Sequence, residues 1–159
     1  MNLMSEWTPE LVSSWMGFAL DEASEAATQG EVPVGAVVVR GREVVARGRN
    51  RTEELRSPVA HAELIALEAA SARLGDWRLP GCVLVVTVEP CTMCAGALLL
   101  ARVEGIVFGT PEPRTGALGS LYDVSLAVAE STRPRVVGGV RERESRELIQ
   151  SFFEGIRGD

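Results

Sequence analysis

The run "GCVLVVTVEP", residues 81–90, is apolar at nearly every position and is closed by Gly81 and Pro90. A strand with one wet face alternates apolar and polar residues, whereas a strand covered on both faces reads as continuous aliphatic chain. The run therefore predicts a central strand buried on both sides, which requires helices above and below it.

The flanking patterns supply those layers. Residues 9–28 place Leu11, Trp15, Phe18, Ala19, Glu22 and Ala26 at helical spacing, with Thr8 as N-cap and Pro9 at the first position. Two β-branched runs, 34–40 and 43–48, turn at Gly41-Arg42 as a tight hairpin. Residues 61–74 carry Leu64, Ile65, Leu67, Glu68 and Leu74 in a helical pattern, with Ser57 and Pro58 as start signals. "CTMCAGALLLARV" reads as a helix entered through Pro90, "GIVFGT" as a further strand and "PRVVGGV" as a last one. "TPEPRTGALGS", residues 110–120, is dense in Gly and Pro and predicts an ordered surface loop that carries specificity. In "ESRELIQSFFEGI", Leu148, Ile149, Phe152, Phe153 and Ile156 share one helical face, read here as core packing. The expected product is an α/β protein, a mixed sheet sandwiched between helices, in one domain over residues 1–159.

Composition sets the outer bounds. Hydrophobic residues make up 46% of the chain and aromatic ones only 5%, so an aliphatic core forms without staples. The first residues carry no pattern of an export leader and no apolar run is long enough to span a bilayer, which predicts a cytoplasmic chain with no membrane partner. The net charge of −6 argues against a polyanionic partner. Its distribution tempers that argument: Glu6, Glu10, Asp21, Glu22, Glu25 and Glu31 lie before any basic residue, and the rest of the chain is neutral, with arginine as its only cation. Arginine forks suit phosphate, and an all-arginine set also follows from a GC-rich coding sequence.

Three cysteines, two of them three apart, favour metal or redox chemistry over a disulfide framework. Catalytic zinc takes three protein ligands in a tetrahedron and keeps the fourth position open. His61, the single histidine, together with Cys91 and Cys94, is the one set on offer. Both cysteines fall on one face of a helix start, where the dipole favours thiolates. Glu63 is too close in sequence to His61 to be an easy fourth ligand, but is placed to exchange a proton with a water there. Each part has a plain alternative: a lone histidine is usually a satisfied core or surface residue, and C-x-x-C serves redox pairs and structural zinc as well. A structural site needs a fourth Cys or His, and the remaining Cys82 lies in an apolar strand as a small hydrophobe.

His61-Ala62-Glu63 followed by Pro90-Cys91-Thr92-Met93-Cys94 resembles the H-x-E and P-C-x-x-C signature of the zinc-dependent nucleobase deaminases. The likeness extends through "EVPVGAVVV", "GRNR", "AHAELIAL", "VTVEPCTMCAGAL", "VFGT" and "TGALGSLYDV", and over these stretches the chain is similar to the bacterial TadA-type tRNA adenosine deaminases. The resemblance implies a cytidine-deaminase-like three-layer sandwich with a five-stranded mixed sheet, assembled as a homodimer. It implies one Zn2+ per subunit held by His61, Cys91 and Cys94, with Glu63 as catalytic proton shuttle. It further implies substrate contacts from Asn50, Ala62, Glu112 and Arg114. Without the family, Asn50 reads equally well as a turn residue closing the hairpin. Where the family often carries an aspartate, this chain has Glu112, whose carboxylate reaches one methylene further.

The function so implied is zinc-dependent hydrolytic deamination of adenosine to inosine at the wobble position of a tRNA anticodon loop. Arg49, Arg51, Arg56, Arg114 and Arg157 are the candidates for a phosphate grip, and the chain ends at Asp159 without a basic tail. Two other readings stand beside this one. A deaminase of free nucleobases or nucleosides, of guanine or cytosine type, shares the zinc chemistry and suits the acidic charge. A catalytically silent zinc-bound interaction module would have no use for Glu63.

Overall fold

The computed structural model describes residues 6–158; the reading of residues 1–5 as free of a leader, and of Asp159 as the end of an unbasic tail, lies outside them. The elements run α1 (Pro9–Thr28), β1 (Gly35–Arg40), β2 (Glu43–Arg49), α2 (Thr52–Leu55), α3 (Ala62–Leu74), β3 (Val83–Val88), α4 (Thr92–Leu100), β4 (Gly105–Thr110), β5 (Arg135–Val137) and α5 (Glu142–Arg157). Two short 3-10 turns, Val124–Ala127 and Glu130–Thr132, lie between β4 and β5. Every expected helix and strand is present. The single-turn α2 is additional, and the last strand is shorter than residues 134–140 because Gly139, at φ 82°, turns the chain out of extended conformation.

The five strands are ordered β2-β1-β3-β4-β5, with β1 antiparallel to both neighbours and β3, β4 and β5 parallel. The apolar run of the sequence is β3, at the centre. Alternate residues of the sheet serve two cores. Ala36, Val38, Leu84, Val86, Ile106 and Phe108 face the α3 and α4 side, while Val37, Val39, Val83, Val85 and Val107 face α1. This is why the strands lack polar alternation.

Thr8 caps α1 through its hydroxyl, which accepts from Leu11 N–H at 3.1 Å. The buried stripe of α1 runs Val12, Trp15, Met16, Ala19, Leu20, Ala23 and Ala26. Leu11, Phe18 and Glu22 stand at its margin. On the other layer, α3 presents Ala62, Ala66 and Ala70 inward, and Gly48 of β2 lies so close that a Cβ there would meet Ala62 O at 2.4 Å and Ala66 N at 2.6 Å. Small residues on both partners bring the helix down onto the sheet.

The tail helix corrects one expectation. Ser145, against Gly109 of β4, is the one buried residue of α5 among those described. Leu148 packs beside the α1-side core, but Phe153 and Ile156 remain 38% and 57% exposed. The apolar face thus splits between core margin and open surface, with Ile149 and Phe153 bordering a cavity at the end of the sheet.

Candidate active site

The functional side chains sit at helix starts. His61 is the N-cap residue of α3 and Cys91 that of α4, both with extended backbone, and Cys94 is one turn into α4. The strands β2 and β3, both antiparallel to β1, deliver the two helix N-termini to the same end of the sheet, where Val34, Asn50 and Glu89 also emerge. Asn50 N–H donates to Val34 O at 3.0 Å and Glu89 N–H to Thr110 O at 2.9 Å, so the strand ends are tied together around the site.

His61 Nδ1 lies 3.7 Å from Cys91 Sγ and 3.5 Å from Cys94 Sγ. The three potential ligand atoms fall within 4.8 Å of one another. A tetrahedral zinc about 2.3 Å from sulfur and about 2.0–2.1 Å from nitrogen sets nitrogen–sulfur edges of about 3.6 Å. The donor set and both measured edges therefore fit such an ion, and His61 and Cys91 also line the adjoining cavity. Cys82 is fully buried in the core as a small hydrophobe and lies outside the cluster, but it precedes β3 instead of lying in the strand.

The electrostatics of the cluster are those of strongly linked groups. Its hydrogen bond with Cys94, aided by His61, pulls the Cys91 thiol down to about 4 against the opposing effect of burial. The same bond, together with burial and the nearby Glu63 charge, pushes the Cys94 thiol well above its ordinary range. Contact with Cys91 raises His61 above an ordinary imidazole, with burial opposing. Glu63, 4% exposed on the first turn of α3, has its carboxyl raised chiefly by burial. A carboxyl whose burial raises it, placed at the wall of a cavity, is suited to taking up and releasing protons.

Asn50, Ala62, Glu63, His61, Cys91 and Glu112 all line one cavity of about 360 Å³, which places it at the small end of ligand sites. It has room for a single base with part of its sugar, and none for a helix. Other cavities lie between α1 and α5 and beside Trp7, away from the His–Cys cluster. Asn50 is 7% exposed, its position just after β2 fitting both the turn and the base-contact readings. Arg114 is exposed on the loop and outside the lining; its N–H donates to Glu112 Oε1 at 2.9 Å. Of the other arginines, Arg51 is engaged in a fork on Glu54, at 2.7 and 3.0 Å. Arg49 is half-buried with its Nε unpartnered among the described residues, and Arg56 and Arg157 are exposed.

Sequence reasoning passed over several residues at this end of the sheet. Glu31, 1% exposed, accepts from the N–H groups of Glu53 and Glu54 at 3.1 and 2.8 Å and so caps α2, which carries Thr52 to the cavity. Glu89, 3% exposed, faces the loop that begins at Pro111. Burial would raise its carboxyl, yet the Ser120 hydroxyl and the N–H groups of Glu112, Ser120 and Leu118 hold it below the ordinary range. Ile149 and Phe153 close the cavity from α5. An acid terminating the otherwise apolar β3 was the available signal for Glu89; Glu31 was visible only as one more charge in an acidic segment.

Residues 9–110 match the model of the cytidine and deoxycytidylate deaminase zinc-binding region. The chain belongs to this deaminase family. Among its relatives, the tRNA-specific adenosine deaminase of Bacillus subtilis is 42% identical over 143 residues, covering 90% of this chain and 89% of that protein. A deaminase structure from work on A-to-I editing by tRNA:A34 deaminases at the wobble position superposes with a TM-score of 0.77 at 42% identity, over 85% of this chain and 98% of the other. Guanine deaminase from Nitrosomonas europaea has the same fold, with a TM-score of 0.77 at 25% identity over 88% and 83% of the two chains. The deaminase also matches a tRNA(Ile)-lysidine synthase of Deinococcus deserti at 46% identity over 93% of its own length, but spans only 28% of that protein. No helix among the described residues is long and apolar enough to cross a membrane.

Proposed function

We propose that this deaminase converts adenosine to inosine at the wobble position of a tRNA anticodon, as a single domain over residues 1–159 acting in the cytoplasm. The observation that carries the proposal is the His61–Cys91–Cys94 triangle with buried Glu63 beside it, next to a cavity sized for one extruded base. Likeness to adenosine-specific relatives at 42% identity favours this substrate over the free guanine handled by the more distant structural neighbour.

His61, Cys91 and Cys94 hold the zinc, which when bound supplies a Lewis acid that lets water react at neutral pH. Glu63 takes a proton from the water side of the cavity, delivers it to the ring nitrogen beside C6, and carries another to the departing amine. The balance is adenosine plus water to inosine plus ammonia, with no redox step. Asn50, whose amide both donates and accepts, orients the base together with the Ala62 backbone at the α3 N-terminus. Glu112 and Arg114 contact the sugar–phosphate at the cavity mouth. A second copy of the chain covers the exposed leucines Leu100 on α4 and Leu126 on the 3-10 turn packed against it, giving the homodimer.

An anticodon stem-loop with A at the wobble position, incubated with the zinc-loaded protein, yields inosine by mass detection. Glu63→Gln keeps its zinc and loses about 10²–10⁴ in rate. Absence of inosine with the wild type, alongside activity on free guanine or cytosine, refutes the assignment.

A further inference from the structure

The segment from Pro111 to Asp123 joins β4 to the first 3-10 turn, and its one bridge is the isolated Leu118–Asp123 pair. It nevertheless brings Glu112 and Thr115 to the cavity wall. A loop of this length, rich in Gly and Pro, needs an internal anchor to hold one conformation. Buried Glu89 is at its centre: Oε1 accepts from Glu112 N–H at 3.1 Å and from the Ser120 hydroxyl, and Oε2 accepts from Leu118 N–H at 3.0 Å and Ser120 N–H at 3.1 Å. One carboxylate thus gathers both ends of the loop. Gly116 makes room for it, since a Cβ there would meet Glu89 Cδ at 2.4 Å, Glu89 Oε1 at 2.5 Å and Glu112 O at 2.5 Å.

We propose that Glu89 is a positioning residue for substrate: it fixes the 111–120 loop over the cavity, and so sets how well an extended RNA strand is held without taking part in the chemical step. This deepens the tRNA reading and rests on it for the identity of the substrate. A carboxylate is required for a specific reason. Glutamine offers one accepting oxygen, and its amide group would face donors. With the oxygen kept on Leu118 and Ser120 N–H, the amide falls on the Oε1 side, where the Ser120 hydroxyl reverses its role but Glu112 N–H can only donate. Glu89→Gln therefore releases the Glu112 end of the loop first, while Cys91 and Cys94 remain on α4.

The test compares amide hydrogen exchange and steady-state kinetics on the adenosine-containing stem-loop for wild type, Glu89→Gln and Gly116→Ala, all zinc-loaded and with zinc content measured. In the wild type the amides of Glu112, Leu118 and Ser120 exchange slowly although they belong to a loop. In Glu89→Gln, Glu112 N–H exchanges at least about tenfold faster, zinc stoichiometry is unchanged, and kcat/KM falls about 10- to 100-fold, mainly through KM. Gly116→Ala reaches the same phenotype by displacing the carboxylate. Rapid exchange of these amides in the wild type overturns the proposal without need of a variant. Unchanged exchange in Glu89→Gln, or a loss confined to kcat, overturns it as well. Should the wild type act only on a free base, the tRNA reading fails, and the exchange data alone then decide whether Glu89 anchors the loop.

Discussion

Gly48→Ala places a methyl group where β2 meets the first turns of α3. Its Cβ would stand 2.4 Å from Ala62 O, 2.6 Å from Ala66 N and 3.1 Å from Ala66 Cβ. The two closest atoms belong to helix backbone, which cannot rotate away. Ordinary contact begins near 3.4 Å, so α3 must retreat by about 1 Å at its N-terminal end. Overpacking of this kind costs about 1–3 kcal/mol, or roughly 2–12 °C in Tm for a chain of this size. The catalytic cost is larger, because the displaced turn carries His61 and Glu63 while Cys91 and Cys94 stay with α4. A 1 Å misplacement is worth about 10² in rate. Thermal melts and inosine formation on the same zinc-loaded preparations measure both effects, with Gly155→Ala as control, since its Cβ meets nothing within 4 Å on α5 and should raise Tm by about 1–4 °C. A Gly48→Ala protein with wild-type Tm and full activity would refute the idea that this contact sets the height of α3 above the sheet.

Zinc affinity should rise with pH. Zinc takes deprotonated ligands, and Cys94 and His61 both hold their protons above the ordinary range, so lowering pH pits protons against metal at these two sites. The hydrogen-bonded Cys91–Cys94 pair shares a proton, with the Cys91 thiol the one pulled down, to about 4. Calorimetry in buffers of different ionisation enthalpy should register about one to two protons released per zinc near pH 7, and a pH-independent affinity would contradict this. Arg114→Gln should weaken stem-loop binding and reduce its salt slope by about one unit in a log–log titration, leaving zinc content untouched; an unchanged slope would remove Arg114 from the phosphate contacts.

The sheet was legible because β3 and β1 are buried on both faces and announce it by unbroken aliphatic runs, and the candidate metal cluster because few residue types bind zinc. Other features left weaker marks. The buried stripe of α3 is mostly alanine with Leu67, and Leu74 packs at the core margin, so of the residues that drew attention to the helix Leu64 and Ile65 are not what seats it. The apolar face of α5 has core-like spacing, but spacing alone does not tell whether the sheet extends beneath it, and Phe153 ends at a cavity mouth instead. Glu31 and Glu89 organise loops by accepting from backbone N–H groups that are distant in sequence, a role with no periodicity to detect.

The antiparallel register of β1 with β3 couples residues as distant as Ala36 and Val86. That pairing spans the intervening hairpin and α3, and it is what sets His61 beside Cys91, residues thirty positions apart in the chain. A metal ion held by the triangle would therefore favour the finished sheet over the open chain, in which those ligands are scattered. Such an ion would act as a latch on the long-range pairing.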